Sequence, residues 1–199
     1  MPHFFANLKM HEKTKRLFDL LTGLGVLVLL SPVLLVTALL VRLTSPGPIL
    51  YWSQRVGRNN RLFSMPKFRT MRLGTPAVAT HLLKNPDQYL TPVGSLLRKT
   101  SLDELPQLWS ILTGDMSFVG PRPALFNQQD LIEQRTACGV HLLVPGLTGW
   151  AQINGRDEIP IPKKVALDAY YLTHRSLGLD ILILWRTVVQ VLRREGITH

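Results

Sequence analysis

Asp103 and Glu104 are adjacent carboxylates in a stretch, Leu97 to Pro123, that reads LRKTSLDELPQLWSILTGDMSFVGPRP. Ser101 followed by Glu104 has the form of a capping box, which predicts a helix over 102–113 with both acids in its first turn. Gly114 stands where a helix C-terminus favours glycine. Pro106 leaves the start of the helix open, because proline suits a first turn but not a deeper one. Acids occur in first turns simply because they complement the helix dipole. Their company here points further. Arg98 and Lys99 lie just upstream, Arg122 stands between Pro121 and Pro123, and Lys67, Arg69 and Arg72 come from a region without acids. Guanidinium forks match phosphate oxygens, and a helix N-terminus offers N–H donors to the same anion. A carboxylate among such groups is expected to stay ionised at neutral pH, as a nucleophile or a metal ligand. An Asp-Glu pair also suits Mg²⁺, which takes one or two carboxylates with substrate phosphates and water.

The whole chain fits that direction. Its 199 residues carry a formal charge of +10, so its partners are anionic: phospholipid headgroups, nucleic acid or phosphorylated small molecules. Cys138 is the single cysteine, which excludes an internal disulfide, and the six scattered histidines have no zinc-site spacing. A buried, inert thiol is expected at Cys138.

From Leu20 to Val41 no residue is charged across 22 positions. As helix that is roughly 33 Å, enough to cross a bilayer core. The run is too long for a signal peptide and lacks a cleavage site, so it is expected to remain attached. Ser31-Pro32 interrupts it at the middle, where proline removes a backbone donor and bends a helix. Lys9, Lys13, Lys15 and Arg16 precede the run against Glu12 and Asp19, and residues 42 to 86 carry eight Lys/Arg and no acid. Both flanks therefore favour the cytoplasmic side. A helix-break-helix that bends at Ser31 and Pro32 and returns to the same face satisfies both, with the Ser31 hydroxyl a candidate partner for a freed carbonyl.

Residues 1–44 are thus expected to form a membrane anchor and 45–199 a catalytic domain, in an α+β, mostly helical architecture. Strands are predicted at 49–57 and 62–72, joined by Arg58-Asn59-Asn60-Arg61, with Pro66 marking the second as an edge or bulged strand. Residues 74–92 read as irregular with a helical turn near Leu82, 124–137 as helix, 145–160 as loop, and 162–175 and 177–194 as helices. On the last helix, Leu177, Ile181, Leu184 and Val188 share one face and Asp180, Thr187, Gln190 and Arg194 the other. That helix reads equally as a core-packing element or as one lying in the headgroup layer.

These residues together resemble the monotopic phosphoglycosyl transferases, bacterial sugar transferases that start glycoconjugate assembly on a polyprenyl phosphate. The resemblance runs over nearly the whole chain: Ser31-Pro32, KFRTM at 67–71, RKTSLDELPQ at 98–107, GDMS at 114–117, VGPRP at 119–123, PGLTGWAQ at 145–152 and Asn154-Gly155-Arg156. It implies a ping-pong reaction at the cytoplasmic face of a bacterial inner membrane. Asp103 would attack the β-phosphorus of a UDP-sugar, release UMP and pass the sugar-phosphate to polyprenyl phosphate. The resemblance further implies Mg²⁺ held near Asp103 and Glu104, and phosphate contacts from Arg98 and Arg122, with Lys67, Arg69 and Arg156 as weaker assignments. Met65-Pro66 departs from the aliphatic-aromatic pair of many members. The several N-terminal membrane helices of longer members are not seen here, so the chain looks like a minimal catalytic form.

Two other functions compete. A metal-dependent phosphohydrolase would use the same pair and give the phosphoryl group to water. A membrane-anchored nucleic-acid binder would explain the charge, but no RRM, KH or zinc-finger signature is present and the acidic pair would repel a phosphate backbone, so no nucleic-acid partner is expected.

Overall fold

The computed structural model describes residues 2–76, 85–155 and 159–193. The predicted turn near Leu82, Arg156 and Arg194 lie outside the described residues. The architecture is mostly helical with two small sheets, in the order α1 (Pro2–Thr44), β1 (Leu50–Val56), β2 (Leu62–Phe68), α2 (Gly94–Lys99), α3 (Leu108–Thr113), β3 (Ser117–Val119), α4 (Gln129–Ala137), β4 (Gly146–Thr148), α5 (Trp150–Ile153), α6 (Ile161–His174) and α7 (Leu177–Arg193).

The uncharged run lies within α1, the one described helix long and apolar enough to cross a bilayer. Ser31 and Pro32 do not interrupt the helix, since α1 runs from Pro2 to Thr44 with Pro32 inside it. Pro32 has no N–H for the Val28 carbonyl, and the Ser31 hydroxyl donates to that same oxygen at 2.8 Å. The orphaned acceptor is satisfied without unwinding, in the way anticipated for Ser31.

Both halves of α1 touch the rest of the molecule. Arg16 donates to the carbonyls of Ile111 and Leu112, capping the C-terminal turn of α3. Asp19 accepts from the Phe118 N–H of β3 at 3.2 Å, and Lys15 pairs with Asp180 of α7 at 2.7 Å. Val26 and Leu27 then pack on the main core, built from Met65, Ile111, Met116, Phe118, Val119 and Ile183 among others. Beyond Pro32, Leu34, Ala38 and Val41 pack on a second cluster with Phe68 and Leu97.

The predicted hairpin is present with shorter strands. β1 and β2 pair antiparallel from Leu50↔Phe68 to Val56↔Leu62, and Asn59 and Asn60 take the left-handed conformation of the turn (φ 56° and 58°). Pro66 pairs with Trp52 in a two-stranded sheet, where every strand is an edge. β3 and β4 pair in parallel, Ser117↔Gly146 and Val119↔Thr148; β4 falls in the segment 145–160 read from sequence as loop, and β3 in a stretch for which no element was predicted. Helix α4 begins at Gln129 rather than near 124. Cys138 is exposed, not buried, because it follows the last turn of α4 at the surface.

Helix α7 packs on the main core through Ile183, with Leu179 and Leu184 beside it, but much of its inward side is polar. Its polar side faces in: Asp180 is fully buried, accepting from the Tyr171 hydroxyl at 2.6 Å, while Thr187 bonds Thr148 and Gln190 donates to the Ile153 carbonyl. Burial, reinforced by Asp180, pushes the Tyr171 phenol far above its usual range, so it remains a donor. Other apolar residues face out, with Ile181 57 % and Trp185 66 % exposed.

Candidate active site

The acids do not sit in the first turn of an α-helix. Leu102–Gln107 forms a 3₁₀ segment that leads into α3, and Ser101 before it is left-handed (φ 56°) with no side-chain cap. The capping box predicted for Ser101 and Glu104 fails for a physical reason: the Glu104 carboxylate turns to cations instead of reaching back to the chain. Pro106 contributes, since its missing N–H and ring disfavour α-helix at the fifth position of the segment. Gly114 does end α3 in the expected left-handed conformation (φ 96°).

Strand β2 packs against the 3₁₀ segment and delivers Lys67 to it. Lys67 Nζ lies 2.8 Å from Glu104 Oε1, and Arg122 Nη2 lies 3.2 Å from the same oxygen. The Arg122 loop is held from behind. Arg135 of α4, itself paired with buried Asp168 of α6 at 2.6 Å, donates through Nη1 to the Arg122 carbonyl at 2.8 Å. Just before the loop, Gly120 donates to the Thr148 carbonyl, and a Cβ there would meet the Val144 carbonyl at 2.4 Å. Only glycine permits that approach of the two backbones.

The two acids differ in charge state. Burial pushes the Asp103 carboxyl up to about 6; Lys67 opposes this, Glu104 adds to it, and Arg98 and Arg122 lower it. At Glu104 burial also acts upward, but Lys67 and Arg122, by charge and by hydrogen bond, outweigh it and hold the carboxyl far below its usual range. Glu104 is thus a permanent anion clamped by two cations. Asp103 is only 8 % exposed, ionised at neutral pH, and receives no hydrogen bond from a described side chain. Such a carboxylate is positioned and unencumbered, which suits a nucleophile.

The structure gathers Lys67, Arg98, Asp103, Glu104 and Arg122, and gives Lys67, a weaker assignment from sequence, the shortest ion pair with Glu104. It does not bring Arg69 to the pair. Arg69 is buried and donates to the carbonyls of Ser45 and Pro46 and to the Ser45 hydroxyl. It ties the exit of α1 to β2 and contacts no described acid. Of these two weaker assignments, Lys67 therefore meets the acidic pair and Arg69 serves the backbone after α1. Sequence reasoning also missed the Arg135–Asp168 pair, for which the only local signal is one acid in the interior of an otherwise apolar-faced helix.

No group of three or more metal-ligating side chains occurs among the described residues. The donor set of Asp103 and Glu104, with one Glu104 oxygen already taken by two cations, fits Mg²⁺ shared with substrate phosphates and water, not an all-protein cage.

The profile of the family described as bacterial sugar transferase matches residues 10–194. The chain is 44% identical over 184 residues to the uncharacterized sugar transferase EpsL of Bacillus subtilis, covering 92% of this chain and 89% of that one. It is 42% identical to the UDP-glucose:undecaprenyl-phosphate glucose-1-phosphate transferase of Escherichia coli, covering 87% of this chain and 39% of the relative. It is 38% identical to the undecaprenyl-phosphate galactose phosphotransferase of Salmonella typhimurium, covering 92% of this chain and 41% of the relative. The chain therefore spans about two fifths of the length of these last two relatives.

Proposed function

This chain belongs to the bacterial sugar transferase family, and from that premise we propose that it transfers a sugar-1-phosphate from a UDP-sugar to a polyprenyl phosphate through an Asp103 intermediate. The observation that carries the reading is the contrast within the acidic pair: Glu104 clamped by Lys67 and Arg122, Asp103 unclamped and ionised beside it. An Asp103 oxygen attacks the β-phosphorus, and the bridging oxygen leaves with UMP. The phosphate oxygen of the polyprenyl acceptor then attacks the same phosphorus and breaks its bond to Asp103. Each step forms one P–O bond and breaks one. Dividing the transfer lets two bulky anions occupy the site in turn. Arg98 and Arg122 hold phosphate charge as it shifts between oxygens, and Lys67 keeps Glu104 in place. Asp103 and Glu104 are the residues that would hold Mg²⁺ with substrate phosphates, and the ion would supply neutralisation of phosphate charge.

The acceptor's phosphate lies at a membrane surface, and the apolar surfaces support placing the site there. The outward Ile181, Trp185 and Val188 of α7 and exposed Trp109 of α3 suit a headgroup layer. The anchor supports a re-entrant, cytoplasmic-face reading. A straight helix from Lys15 to Val41 is about 39 Å long, more than a bilayer core. A body confined to one side of the membrane contacts both ends of that stretch only if α1 does not cross as a straight rod.

Release of UMP from a panel of UDP-sugars, with Mg²⁺ and with or without polyprenyl phosphate in detergent, tests the chemistry. Lipid-linked sugar and a trapped Asp103 adduct are expected, whereas UMP or phosphate release that never yields lipid product would identify a hydrolase. Single cysteines at residues 5 and 60, with Cys138 replaced, test the topology: labelling from the same side is expected, and opposite sides refute the re-entrant reading of α1.

A further inference from the structure

A shallow cleft lies behind the Arg122 loop, between the end of β1, α4 and the short 3₁₀ turn Val140–Leu142. We infer that this cleft receives the uracil ring of the nucleotide donor, with His141 bonding the edge of the ring. The inference rests on the transfer reading for its donor, and the cleft itself supplies the rest.

Its walls include Val56, Pro123, Ile132 and Leu143, aliphatic surfaces that suit a flat ring. A UDP-sugar has one planar, weakly polar part, the base; its sugar, ribose and diphosphate are all strongly hydrated. Among the lining groups, His141 Nδ1 is buried yet finds no hydrogen-bond partner among the described residues. A buried polar atom without a partner is uncommon in native structures and implies a missing ligand or water. The uracil edge presents an N–H between two carbonyl oxygens, so it satisfies Nδ1 whether that nitrogen donates or accepts.

Position agrees with chemistry. Arg122 is shared between the cleft and the acidic pair, since it lines the former while its guanidinium bonds Glu104. A nucleotide laid across Arg122 would direct its phosphates toward the acidic pair and its base behind the loop. Arg135, bonded to the Arg122 carbonyl and paired with Asp168, also lines the cleft and keeps that wall rigid.

The experiment compares binding of UMP and ribose 5-phosphate to the full chain in detergent, by calorimetry, for the wild type, His141→Phe and His141→Asn. Ribose 5-phosphate shares the phosphate and ribose and lacks the base. The wild type is expected to bind UMP more tightly than ribose 5-phosphate. His141→Phe is expected to weaken UMP about three- to tenfold, the range of one hydrogen bond, and to leave ribose 5-phosphate unchanged. His141→Asn, which keeps a polar atom near the Nδ1 position, retains most of the UMP affinity. Should His141→Phe lose its fold by circular dichroism, Val56→Phe takes its place by narrowing the cleft from the β1 side, with the same selective loss expected. Equal affinities in the wild type, equal weakening of both ligands, or no change in either would each overturn the inference. The two readings separate cleanly. A wild type that binds UMP selectively but never releases it from a UDP-sugar loses the transfer reading and keeps the cleft, and UMP release without base-selective binding does the opposite.

Discussion

Two acid–cation clusters lie on either side of the Arg122 loop, and they are built on opposite principles. Behind the loop, Asp168 and Arg135 form a matched pair: the carboxylate accepts from Arg135 Nε at 2.9 Å and Nη2 at 2.6 Å, and both residues are buried. In front of it, Lys67 and Arg122 converge on Glu104, Arg98 lies near, and Asp103 remains without a described side-chain donor. The first cluster is internally matched, and Nη1 of Arg135 goes to the Arg122 carbonyl. The second has one more cation than acid and an ionised oxygen unengaged. Buried ion pairs are common structural devices, so charge and burial alone do not mark a site. What marks it here is the unequal treatment of two neighbouring carboxylates.

The largest effect that separates the clusters is catalytic. Asp103→Asn is expected to remove UMP release and the covalent adduct together, by on the order of 10⁴-fold or more. A variant that still releases UMP would show that another group is the nucleophile. The same substitution should raise stability. Asp103 has a folded pKa of about 6, above its ordinary value of 3.8. Its favourable contribution is therefore complete below pH 4 and lost as pH rises through about 6, so at pH 7.5 the ionised carboxylate opposes folding. Removing the charge should stabilise the fold by about 1–3 kcal/mol, read by thermal or denaturant unfolding at that pH.

Asp168→Asn should do the reverse. Burial raises the Asp168 carboxyl despite Arg135 beside it, but the loss on substitution is set by the partner. Arg135 would be left as a buried, unpaired guanidinium, at a cost of about 3–5 kcal/mol. At Asp103, by contrast, Lys67 and Arg122 keep Glu104. Opposite signs of unfolding free energy for Asp103→Asn and Asp168→Asn are the outcome expected; equal signs would mean that the two clusters serve the same purpose.

How far such a contrast is legible in sequence depends on separation along the chain. Asp103, Glu104, Arg98 and Arg122 fall within one short stretch, so their company is visible, and the Asn59-Asn60 turn announces the hairpin through left-handed propensity. Arg135 and Asp168 lie 33 positions apart, and neither element hints at the other. Strands β3 and β4 are three residues each and pair in parallel across distant chain, too short for alternation to register. The orientation of α7 is likewise hidden. Its amphipathic pattern is plain, but which side faces in depends on Lys15, Thr148 and Tyr171 satisfying its polar groups. The local form of the site was misread where tertiary partners won. Glu104 prefers Lys67 and Arg122 to a capping role, so a 3₁₀ segment replaces the first turns of a helix.

Glu104→Gln sharpens the comparison at smaller amplitude. Without its anion, Lys67 and Arg122 lose their shared partner, and turnover is expected to fall about 10- to 100-fold with the fold intact. Glu104 raises the Asp103 pKa, so its removal should move the acid limb of the pH–rate profile to lower pH. An acid limb that stays near pH 6 would show that the two carboxylates titrate independently.

The smallest effect belongs to the anchor, where a hydroxyl rather than an ion answers an unsatisfied group. Ser31→Ala leaves the Val28 carbonyl without the bond at 2.8 Å and Pro32 still unable to supply one. In contact with lipid that carbonyl has no water to turn to, and a loss of about 1 kcal/mol is expected from α1. Pro32→Ala restores the N–H and should make the Ser31 hydroxyl dispensable. The double variant Ser31→Ala/Pro32→Ala is therefore expected to be more stable than Ser31→Ala alone, by unfolding in detergent. It should also lose same-side labelling of residues 5 and 60 if Pro32 sets the topology. A double variant no more stable than Ser31→Ala would mean that the Val28 carbonyl does not depend on these two residues.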